Sequence, residues 1–563
     1  MLYFAQEAPR TTGASRRNQP LTMSPRARRT AFSLVLFFTA CGLAGMVVSQ
    51  RVGAQSAGDE SQFRDSLKSF TSVYNLVAEN YAEPLNADMP DKTIYDGAIP
   101  GMLHTLDPHS SFYDPKAYAK MREDQHGKYY GVGMTIQPQF IAGTQKIVVV
   151  FPYEGTPSYK AGIHPGDIII SVDGKSTDNM NSEQVANLLK GPKGTHVSLS
   201  VAREGSAAPL TFDLVRDEIP HPSVDLSYEI RPGIGYIHIT QFQETTGREV
   251  SDAVNAFGNL KGLLIDLRGN PGGVLVEAVA VCDKFLRRGQ VIVSQRGRAF
   301  PEQVYRATHG DGRQDFPIVV LVSHSTASAA EIVSGALQDH DRALIVGETT
   351  FGKGLVQSVY PLSDDTGLAL TTYHYYTPSG RLIQRNYNGV SLYDYYYNHD
   401  QPQDLKNREV KQTDSGRTVY GGGGITPDVK IDPPKSNHFQ DVLAAHYVFF
   451  NFSKHYLVNH SITKDFQVDD KVLADFKQFL TAQQVAYTDQ DIAGVLDWVK
   501  ANIKAELFTS AFGEQQGMRV RANWDPMINK ALEYMPQAAS LEETALRDAA
   551  ARQAAKNSGP QAE

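Results

Sequence analysis

The chain has 563 residues, too many for one ordinary domain, which predicts three or four folded units with at least one sizeable core. Its formal net charge is −8 and it has no basic block outside its first 29 residues, which argues against nucleic acid as a partner. The two cysteines, Cys41 and Cys282, are too few for a disulfide framework.

The first element along the chain is an uncharged apolar stretch, "AFSLVLFFTACGLAGMVVS", at residues 31–49. Three arginines within residues 26–29 precede it, and a basic flank before 19 mostly apolar residues is typical of a segment that directs export across a membrane. Small residues at 52–54 would suit a signal peptidase, whereas the stretch is also nearly long enough to span a bilayer. The sequence therefore predicts that residues 1–55 form an export signal or a membrane anchor, and it leaves that choice open.

Residues 60–122 are predicted to form an N-terminal helical region. Apolar residues recur at helical spacing over residues 60–82, and a second helical pattern surrounds residues 92–104. That pattern ends at "LDPHSSFYDP", residues 106–115, whose two prolines stop a helix. His109 in this stretch could be catalytic, but a turn histidine that is hydrogen-bonded to backbone is the favoured interpretation.

The pattern of residues 123–217 is that of strands around one helix. The stretch "AGIHPGDIIISVDG" closely resembles the central part of a PDZ domain, and "GVGM" at residues 131–134 occupies the place of that family's carboxylate-binding loop. Two glycines allow this loop to turn its backbone N–H groups towards one point, which suits the terminal carboxylate of a peptide. The residues expected to bind a substrate tail in this PDZ domain are Gly131, Val132, Gly133 and Met134.

Residues 222–435 alternate strand patterns with helical ones. A strand "GIGYIHITQF" precedes a helix, and the buried strand in "KGLLIDLRGNPGG" runs into a glycine-rich turn before the next helix. This alternation predicts an α/β core with a largely parallel sheet. Functional groups are expected in the loops at the carboxyl ends of its strands.

Three of those loops carry chemistry. "DLRGNPGG" at residues 266–273 could present glycine N–H groups to a developing oxyanion, and "FGKG" at residues 351–354 holds a lysine between two glycines. Ser328 lies at a strand-to-helix junction, where the N–H group of the following residue points out of the helix start. The residues predicted to form an oxyanion hole are Ala329 with Gly272 or Gly273.

The lysine loop, "GETTFGKG" at residues 347–354, nearly spells a phosphate-binding P-loop. A P-loop requires Ser or Thr after its lysine and then a helix, but Gly354 follows Lys353 and the next residues continue as a strand, which argues against nucleotide binding. Burial would instead lower the pKa of Lys353 from its reference of about 10.4 and free the neutral amine to act as a base. Serine with a neutral lysine can replace serine with histidine. Gln357, four residues on, is expected on the same face of the strand.

Taken together, the motifs resemble the C-terminal processing peptidases of serine peptidase family S41, which are also called tail-specific proteases. The resemblance rests on "STASAAE" with Ser328, "FGKGLVQ" with Lys353 and Gln357, "DLRGNPGG", and "GGGGITPDV" at residues 421–429, and it covers residues 60–435. By position it implies that Ser328 is the nucleophile and Lys353 the general base. Gln357 would orient the lysine.

The resemblance implies an endopeptidase that cleaves exported proteins near their C-termini, with the PDZ domain recognising the tail. It implies protein or peptide substrates with free C-termini. With the N-terminal segment, it implies that the protein works outside the cytoplasm, either in the periplasm or anchored to the inner membrane. An adaptor protein and a homo-oligomer are left open as further partners. No cluster of His, Cys, Asp or Glu has metal-ligand spacing, so neither a metal nor another cofactor is expected.

Two other functions remain open. A PDZ scaffold with a weak or regulated hydrolase core would bind peptides without needing the pair Ser328 and Lys353. A crotonase-like acyl transferase would share an α/β core with oxyanion glycines, but it has no use for a PDZ domain. Peptide cleavage measured against acyl-thioester turnover separates these functions.

The remaining residues complete a multidomain α/β (α+β) fold in which a PDZ domain precedes the α/β serine-peptidase core, with helical N- and C-terminal regions. Residues 436–540 show helical patterns broken by charges, which predicts a packed helical domain, and residues 541–563 predict a flexible tail. The aromatic insertion "SLYDYYYNHD", residues 391–400, could line a substrate channel or pack on the surface.

Overall fold

The computed structural model describes residues 61–85, 91–141, 143–309, 316–398 and 408–557. Residues up to Ile94 belong to one compact unit and those from Tyr95 onward to another. The predicted export segment at residues 31–49, the end of the aromatic insertion and the last six residues lie outside the described part of the chain. Within the described ranges, no helix combines the length and the apolarity that crossing a bilayer would require.

The first unit is described from helix α1, residues 61–80. Large apolar side chains recur along this helix at helical spacing, as the sequence predicts, and they are exposed. They are Phe63, Leu67, Phe70, Val73, Leu76 and Val77. A π-helical segment Lys92–Ala98 and helix α2, Ile99–His104, come next along the chain.

The stretch "LDPHSSFYDP" leaves the helical region and joins a sheet of the core. Strand β1, Ser111–Tyr113, pairs antiparallel with Gly367–Ala369, so the predicted helical region contains one strand. Helix α3, Pro115–His126, begins where the Asp114 carboxylate accepts the N–H of Ala117, and it ends at a left-handed glycine.

The PDZ unit contains an antiparallel sheet in the order β3-β4-β5-β7-β8, with β6 paired to β5. A separate two-stranded ribbon of β2 and β9 joins its two ends. Its strands are β2 Lys128–Gly131, β3 Met134–Ile141, β4 Thr144–Pro152, β5 Ile168–Val172, β6 Lys175–Ser176, β7 His196–Ala202, β8 Leu210–Val215 and β9 Asp217–Pro220. Two helices, α4 Pro157–Lys160 and α5 Ser182–Leu189, complete the unit.

The core contains a six-stranded sheet in the order β10-β11-β12-β15-β16-β21. Only the β10–β11 pair is antiparallel among these described strands, which agrees with the predicted largely parallel sheet. The strands are β10 Val224–Arg231, β11 Ile234–Ile239, β12 Gly262–Asp266, β15 Ile318–Val322, β16 Ala343–Gly347 and β21 Val429–Lys430. The helices between them are α6 Thr246–Ala256, α7 Leu275–Phe285 and α8 Ala329–Asp339.

A second, antiparallel sheet runs in the order β1-β18-β13-β14, with β17 also paired to β18. Its further strands are β13 Val291–Arg296, β14 Gln303–Arg306, β17 Leu355–Pro361 and β18 Gly367–Tyr376. The chain then forms helix α9, Leu392–Tyr397, and the hairpin of β19 Val410–Gln412 and β20 Thr418–Tyr420.

The C-terminal region is helical, as the sequence predicts. Its helices are α10 His438–Ala445, α11 Val448–Asn459, α12 Asp470–Ala482, α13 Asp489–Gly494, α14 Leu496–Phe512, α15 Glu514–Trp524, α16 Pro526–Leu532 and α17 Met535–Asn557. The first five share one apolar cluster, whereas α16 and α17 contribute Met527, Ile528 and Met535 to the core-sheet cluster.

Helix α17 corrects the prediction of a flexible tail from residue 541, because the helix continues to Asn557. The sequence "SLEETALRDAAARQAAKN" is rich in Ala, Leu, Glu and Arg, which are strong helix formers. Glu542 also forms an ion pair with Arg342 of the core at 3.4 Å. The polar composition alone predicts a solvated tail, but the helix propensity of these residues and the ion pair of Glu542 with Arg342 favour a helix.

Candidate active site

Ser328 begins helix α8 in a strained backbone conformation. Its φ is 53° and its ψ is −115°, a combination that residues with a Cβ rarely adopt. The N–H of Ser328 donates to Oε2 of Glu331 at 2.9 Å, and the N–H of Glu331 donates back to the carbonyl of Ser328 at 2.8 Å. The helix start therefore holds this serine at a sharp turn after β15, the position that the sequence predicts for a nucleophile.

The glycine-rich loop after β12 lies directly against Ser328. A Cβ on Gly272 would stand 2.6 Å from Cβ of Ser328, and one on Gly273 would stand 2.0 Å from the carbonyl oxygen of Phe242. Both glycines also have positive φ, so a larger residue is excluded by the close contacts and by the backbone conformation. These contacts explain why the loop near the serine carries two glycines in succession.

The backbone N–H groups proposed for the oxyanion hole differ in whether a protein acceptor already engages them. The N–H of Gly272 donates to Oδ1 of Asn270 at 2.8 Å, so it is already engaged. Among the described residues, those of Gly273 and Ala329 donate to no protein acceptor. Gly273 keeps its N–H free, whereas Gly272 is the glycine that lies against Ser328, so the choice between them as the partner of Ala329 stays a prediction.

Lys353 is half-buried in the loop that precedes β17, and its N–H donates to Oε2 of Glu331 at 2.8 Å. Burial lowers the pKa of its ammonium group, because the charged form loses water. The negative charges of Glu331 and Asp107 oppose this effect without cancelling it. The amine is therefore closer to its neutral, basic form than an exposed lysine would be.

Glu331 is a buried carboxylate that the motif-based prediction missed. Its Oε2 accepts the N–H groups of Ser328 and Lys353, while Oε1 accepts that of Gly352 at 2.7 Å and the hydroxyl of Thr350. Burial raises the pKa of Glu331, and these donors oppose that effect by stabilising the carboxylate. An acidic residue three positions after a helix N-cap is a capping-box signal, which would have identified it from the sequence.

The side chains predicted to act with the lysine do not contact its amine here. Within the described residues, no hydrogen bond joins Oγ of Ser328 to Nζ of Lys353. Gln357 donates instead to Oγ1 of Thr371 at 3.0 Å, the residue paired with it on β18. Lys353 precedes β17, which begins at Leu355, so strand alternation does not place the two side chains on one face. Spacing alone could not anticipate where the strand begins.

His109 lies near Lys353 but makes different contacts from those expected. Its ring bonds the hydroxyl of Tyr395 at 2.9 Å, and its backbone N–H donates to Oδ1 of Asp107 at 2.7 Å. Burial, followed by the charge of Lys353, lowers the pKa of His109 to about 4. The ring is therefore neutral at physiological pH and is bonded to a side chain, not to backbone.

Comparison with known proteins gives three family matches along the chain. A model of peptidase family S41 matches residues 233–391, and a PDZ-domain model matches residues 148–203. A third model, described as the probable PDZ-protease C-terminal helical domain, matches residues 439–492.

Curated relatives extend the match. The carboxy-terminal-processing protease of Bartonella bacilliformis is 38% identical over 362 residues, which cover 62% of this chain and 80% of that protein. The chain belongs to the carboxy-terminal-processing proteases. The Bacillus subtilis protease CtpA is 34% identical over 340 residues, covering 60% of this chain and 70% of the relative. The solved photosystem II D1 C-terminal processing protease is 29% identical with a TM-score of 0.33, covering 64% of this chain and 86% of that one.

The loop that the sequence assigned to tail binding in this protease is buried from Gly131 to Met134. Carbonyl groups of the loop point inward, since that of Val132 accepts from Ser158 and that of Gly133 accepts from Thr156. Among the described residues, the N–H groups of Val132 and Gly133 donate to no protein acceptor. The loop thus keeps two donors for an anion.

Arg268 of the protease lies in the loop before Gly272, and the sequence motifs do not predict a role for it. It pairs with Asp266 at 2.7 Å and with Asp525, at the start of helix α16, at 3.0 Å. Although burial raises the pKa of Asp266, the charge and hydrogen bonds of Arg268 hold it below its usual value. In the part of the chain that the structure describes, no group of three or more His, Cys, Asp or Glu residues could hold a metal ion.

Proposed function

We propose that this protease is a serine endopeptidase in which Ser328 is the nucleophile and Lys353 the general base, and that it cleaves exported proteins near their C-termini. One observation carries the proposal: a single buried oxygen, Oε2 of Glu331, accepts the N–H of Ser328 at 2.9 Å and that of Lys353 at 2.8 Å. The loops that bear the two reactive residues are therefore attached to the same carboxylate.

The proposed reaction begins when Oγ of Ser328 attacks the scissile carbonyl while Nζ of Lys353 takes the hydroxyl proton. The oxygen of the tetrahedral intermediate accepts hydrogen bonds from the N–H groups of Ala329 and Gly273. The lysine then gives its proton to the leaving amine as the C–N bond breaks. Water hydrolyses the acyl-serine with the lysine again as base, which restores both residues.

The lowered pKa of Lys353 supports its role as a base. Because Oγ of Ser328 does not yet bond this amine, we propose that substrate binding moves the two side chains into contact, as is common when a free enzyme engages substrate. Gln357, which now donates to Thr371, would orient the amine only after that movement.

The PDZ domain supplies the proposed selectivity for tails. The free N–H groups of Val132 and Gly133 would bind the terminal carboxylate, and charge-assisted bonds of this kind contribute about 1.5–3 kcal/mol each. Val132 and Met134 share one apolar cluster with Val185 and Leu189 of helix α5, which suits an apolar terminal side chain beside the carboxylate.

We propose a location outside the cytoplasm from the apolar stretch at residues 31–49 and its basic flank, and we propose membrane contact through that segment. A reporter that is active only outside the cytoplasm, fused after residue 563, tests this location. Comparing exported proteins from cells that carry the native protease or Ser328→Ala identifies the substrates, because uncut precursors accumulate only with the variant.

Separate Ser328→Ala and Lys353→Ala variants test the dyad. Each is expected to abolish peptide cleavage, because nucleophile and base act as a unit, while the melting temperature stays near that of the native protease. Ser363→Ala alters an exposed serine and Lys411→Ala a half-buried lysine that pairs with Glu409, both outside the proposed dyad, and they serve as matched controls. Turnover by Lys353→Ala above a few per cent of the native rate would overturn the dyad, and His109 would be tested next as the base.

A further inference from the structure

Helix α9, in the aromatic insertion, carries four tyrosines, of which one is buried and three are exposed. Tyr395 is 2% exposed, whereas Tyr393 and Tyr397 on the same short helix are 71% and 73% exposed. The insertion therefore does more than lie on the surface of the protein. It places one tyrosine inside the protein, and the contacts of that tyrosine show what the helix holds.

The hydroxyl of Tyr395 joins two loops of the active site. It bonds Nε2 of His109 at 2.9 Å, and it accepts from Nε2 of Gln384 at 3.1 Å. Oε1 of Gln384 in turn accepts the N–H of Gly354, the residue after Lys353, at 2.8 Å. Three hydrogen bonds thus connect His109 to the backbone of the lysine loop.

The directions of these bonds are mutually consistent. Gly354 donates to the oxygen of Gln384, which leaves the Gln384 amide nitrogen to donate to Tyr395. These bonds are consistent with Tyr395 donating its own proton to Nε2 of a neutral His109 ring whose proton lies on Nδ1. Nδ1 faces the hydroxyl of Tyr396 at 3.3 Å, and Tyr396 donates to the carbonyl of Pro108 at 2.7 Å.

Ring contacts attach the helix to the same loop. The Arg385 guanidinium lies 4.5 Å from the ring centroid of Phe351 and 4.6 Å from that of Tyr395, and it also donates to the carbonyl of Tyr395. The N–H of Arg385 donates to the carbonyl of Gly352 at 2.8 Å. Helix α9 therefore contacts Phe351 directly, and it is connected to Gly352 and Gly354 through Arg385 and Gln384.

Little space separates the lysine loop from this layer. A Cβ on Gly354 would stand 2.8 Å from the backbone nitrogen of Gln384, and one on Gly352 would stand 3.0 Å from Cβ of Arg385. The loop lies directly on Gln384 and Arg385, so a shift of these two residues moves the backbone of Lys353.

We propose that Tyr395 is a positioning residue for Lys353, acting through Gln384 and the N–H of Gly354, and that helix α9 clamps the lysine loop against the turn that carries His109. The proposal rests on the dyad proposed above. Glu331 holds the loop at the N–H of Lys353, and the Tyr395–Gln384 pair holds it at the next N–H. Two successive anchors fix both ends of the residue that bears the amine.

Tyr395→Phe tests the clamp, because it removes one hydroxyl and keeps the ring. We expect kcat to fall about tenfold, with KM within about twofold, since misplacing a catalytic group affects the chemical step more than binding. The charged groups that act on the Lys353 amine are Glu331 and Asp107, and the amine and Arg385 in turn act on His109. A loosened loop exposes the amine to water, so the rising limb of kcat against pH should move to higher pH.

Tyr393→Phe and Tyr397→Phe lose the same atom from exposed sites on the same helix and should match the native protease in kcat and pH profile. Gln384→Leu should resemble Tyr395→Phe, and the double variant should be no slower than Gln384→Leu alone, because both changes break one chain of bonds.

An unchanged kcat and pH profile in Tyr395→Phe overturns the clamp. A lower kcat with an unmoved pH limb and a lower melting temperature also overturns it, since that result shows a structural role alone. Lys353→Ala is measured in parallel: if it keeps turnover, the dyad and the clamp both fail. If it is inactive while Tyr395→Phe behaves as native, only the clamp fails.

Discussion

Arg268 and Asp525 form an ion pair of 3.0 Å that joins the glycine-rich loop of the active site to the first turn of helix α16. Both side chains are about three-quarters buried, so water screens the pair less than it would on the surface. This contact assigns a role to part of the C-terminal region, since α16 supports the loop that carries Gly272 and Gly273.

Asp525→Asn tests that support. Asparagine keeps an oxygen for the N–H groups of Met527 and Ile528, which Asp525 now caps, but it removes the charge facing Arg268. We expect a loss of about 1 kcal/mol in unfolding free energy and a fall of about threefold in kcat. Denaturant titration and peptide kinetics measure the two effects. Asp432→Asn breaks an exposed pair with Lys430 and is the control, and native kcat in Asp525→Asn would contradict the role of this contact.

Glu331→Gln should impair catalysis more severely. The amide can accept on one side only, so at least one of the N–H groups of Ser328, Gly352 and Lys353 faces another donor, at a cost of about 1–3 kcal/mol for each lost bond. We expect kcat to fall about 100-fold. Glu302→Gln, at an exposed pair with Arg296, is the matched control.

Residual activity of Glu331→Gln also reports on the charge of this carboxylate. The negative charge raises the pKa of Lys353, so its removal should lower that pKa and move the rising limb of kcat to lower pH. A limb that moves to higher pH, or does not move, would show that Glu331 carries no charge in the native enzyme.

The pH dependence of the native protease follows from the same amine. Since burial lowers the pKa of Lys353, its neutral fraction grows as pH rises towards the lowered pKa, below the ordinary value of about 10.4. Activity should therefore climb from acid to mildly alkaline pH. The competing base, His109, has a pKa near 4 and is already neutral over this range.

Kinetics between pH 5 and pH 10 check this expectation, with His109→Gln measured beside the native enzyme. A limb near the ordinary histidine pKa of about 6.5 that disappears in His109→Gln would assign the base to histidine. A chelator should leave the activity unchanged, and a complete loss that added metal restores would contradict the metal-free reaction proposed here.

The features that the sequence predicts correctly are those that depend on neighbouring residues along the chain. The sequence proposes Ser328 and Lys353 because each lies in a short loop whose neighbours restrict its conformation, and because alternating strands and helices place both loops on one core. The parallel sheet followed from the same alternation. These features need only the order of residues along the chain.

What the motifs missed depends on contacts between distant residues. His109 and Tyr395 are 286 positions apart, and no periodicity predicts that their side chains meet. Gln357 donates to Thr371 because the pairing of β17 with β18 places these two residues opposite each other. The polar composition of residues 541–557 predicts a flexible tail, although these residues favour a helix and form one.

The last prediction concerns the tail. The N–H groups of Val132 and Gly133 favour a carboxylate over a neutral amide, so amidating the C-terminus of a good peptide substrate should raise KM or slow cleavage about tenfold while the scissile bond is unchanged. Gly133→Ala should remove this preference, because φ at Gly133 is +80° and a Cβ would stand 2.4 Å from Cβ of Thr156. Gly174→Ala is the matched control, since Gly174 has φ of +75° in the same domain but open space around its Cβ. Cleavage rates of free-acid and amidated peptides, measured for all three proteins, decide the matter. Equal rates on both peptides with the native protease would show that the PDZ domain does not select tails, and would leave Ser328 and Lys353 serving a protease of another specificity.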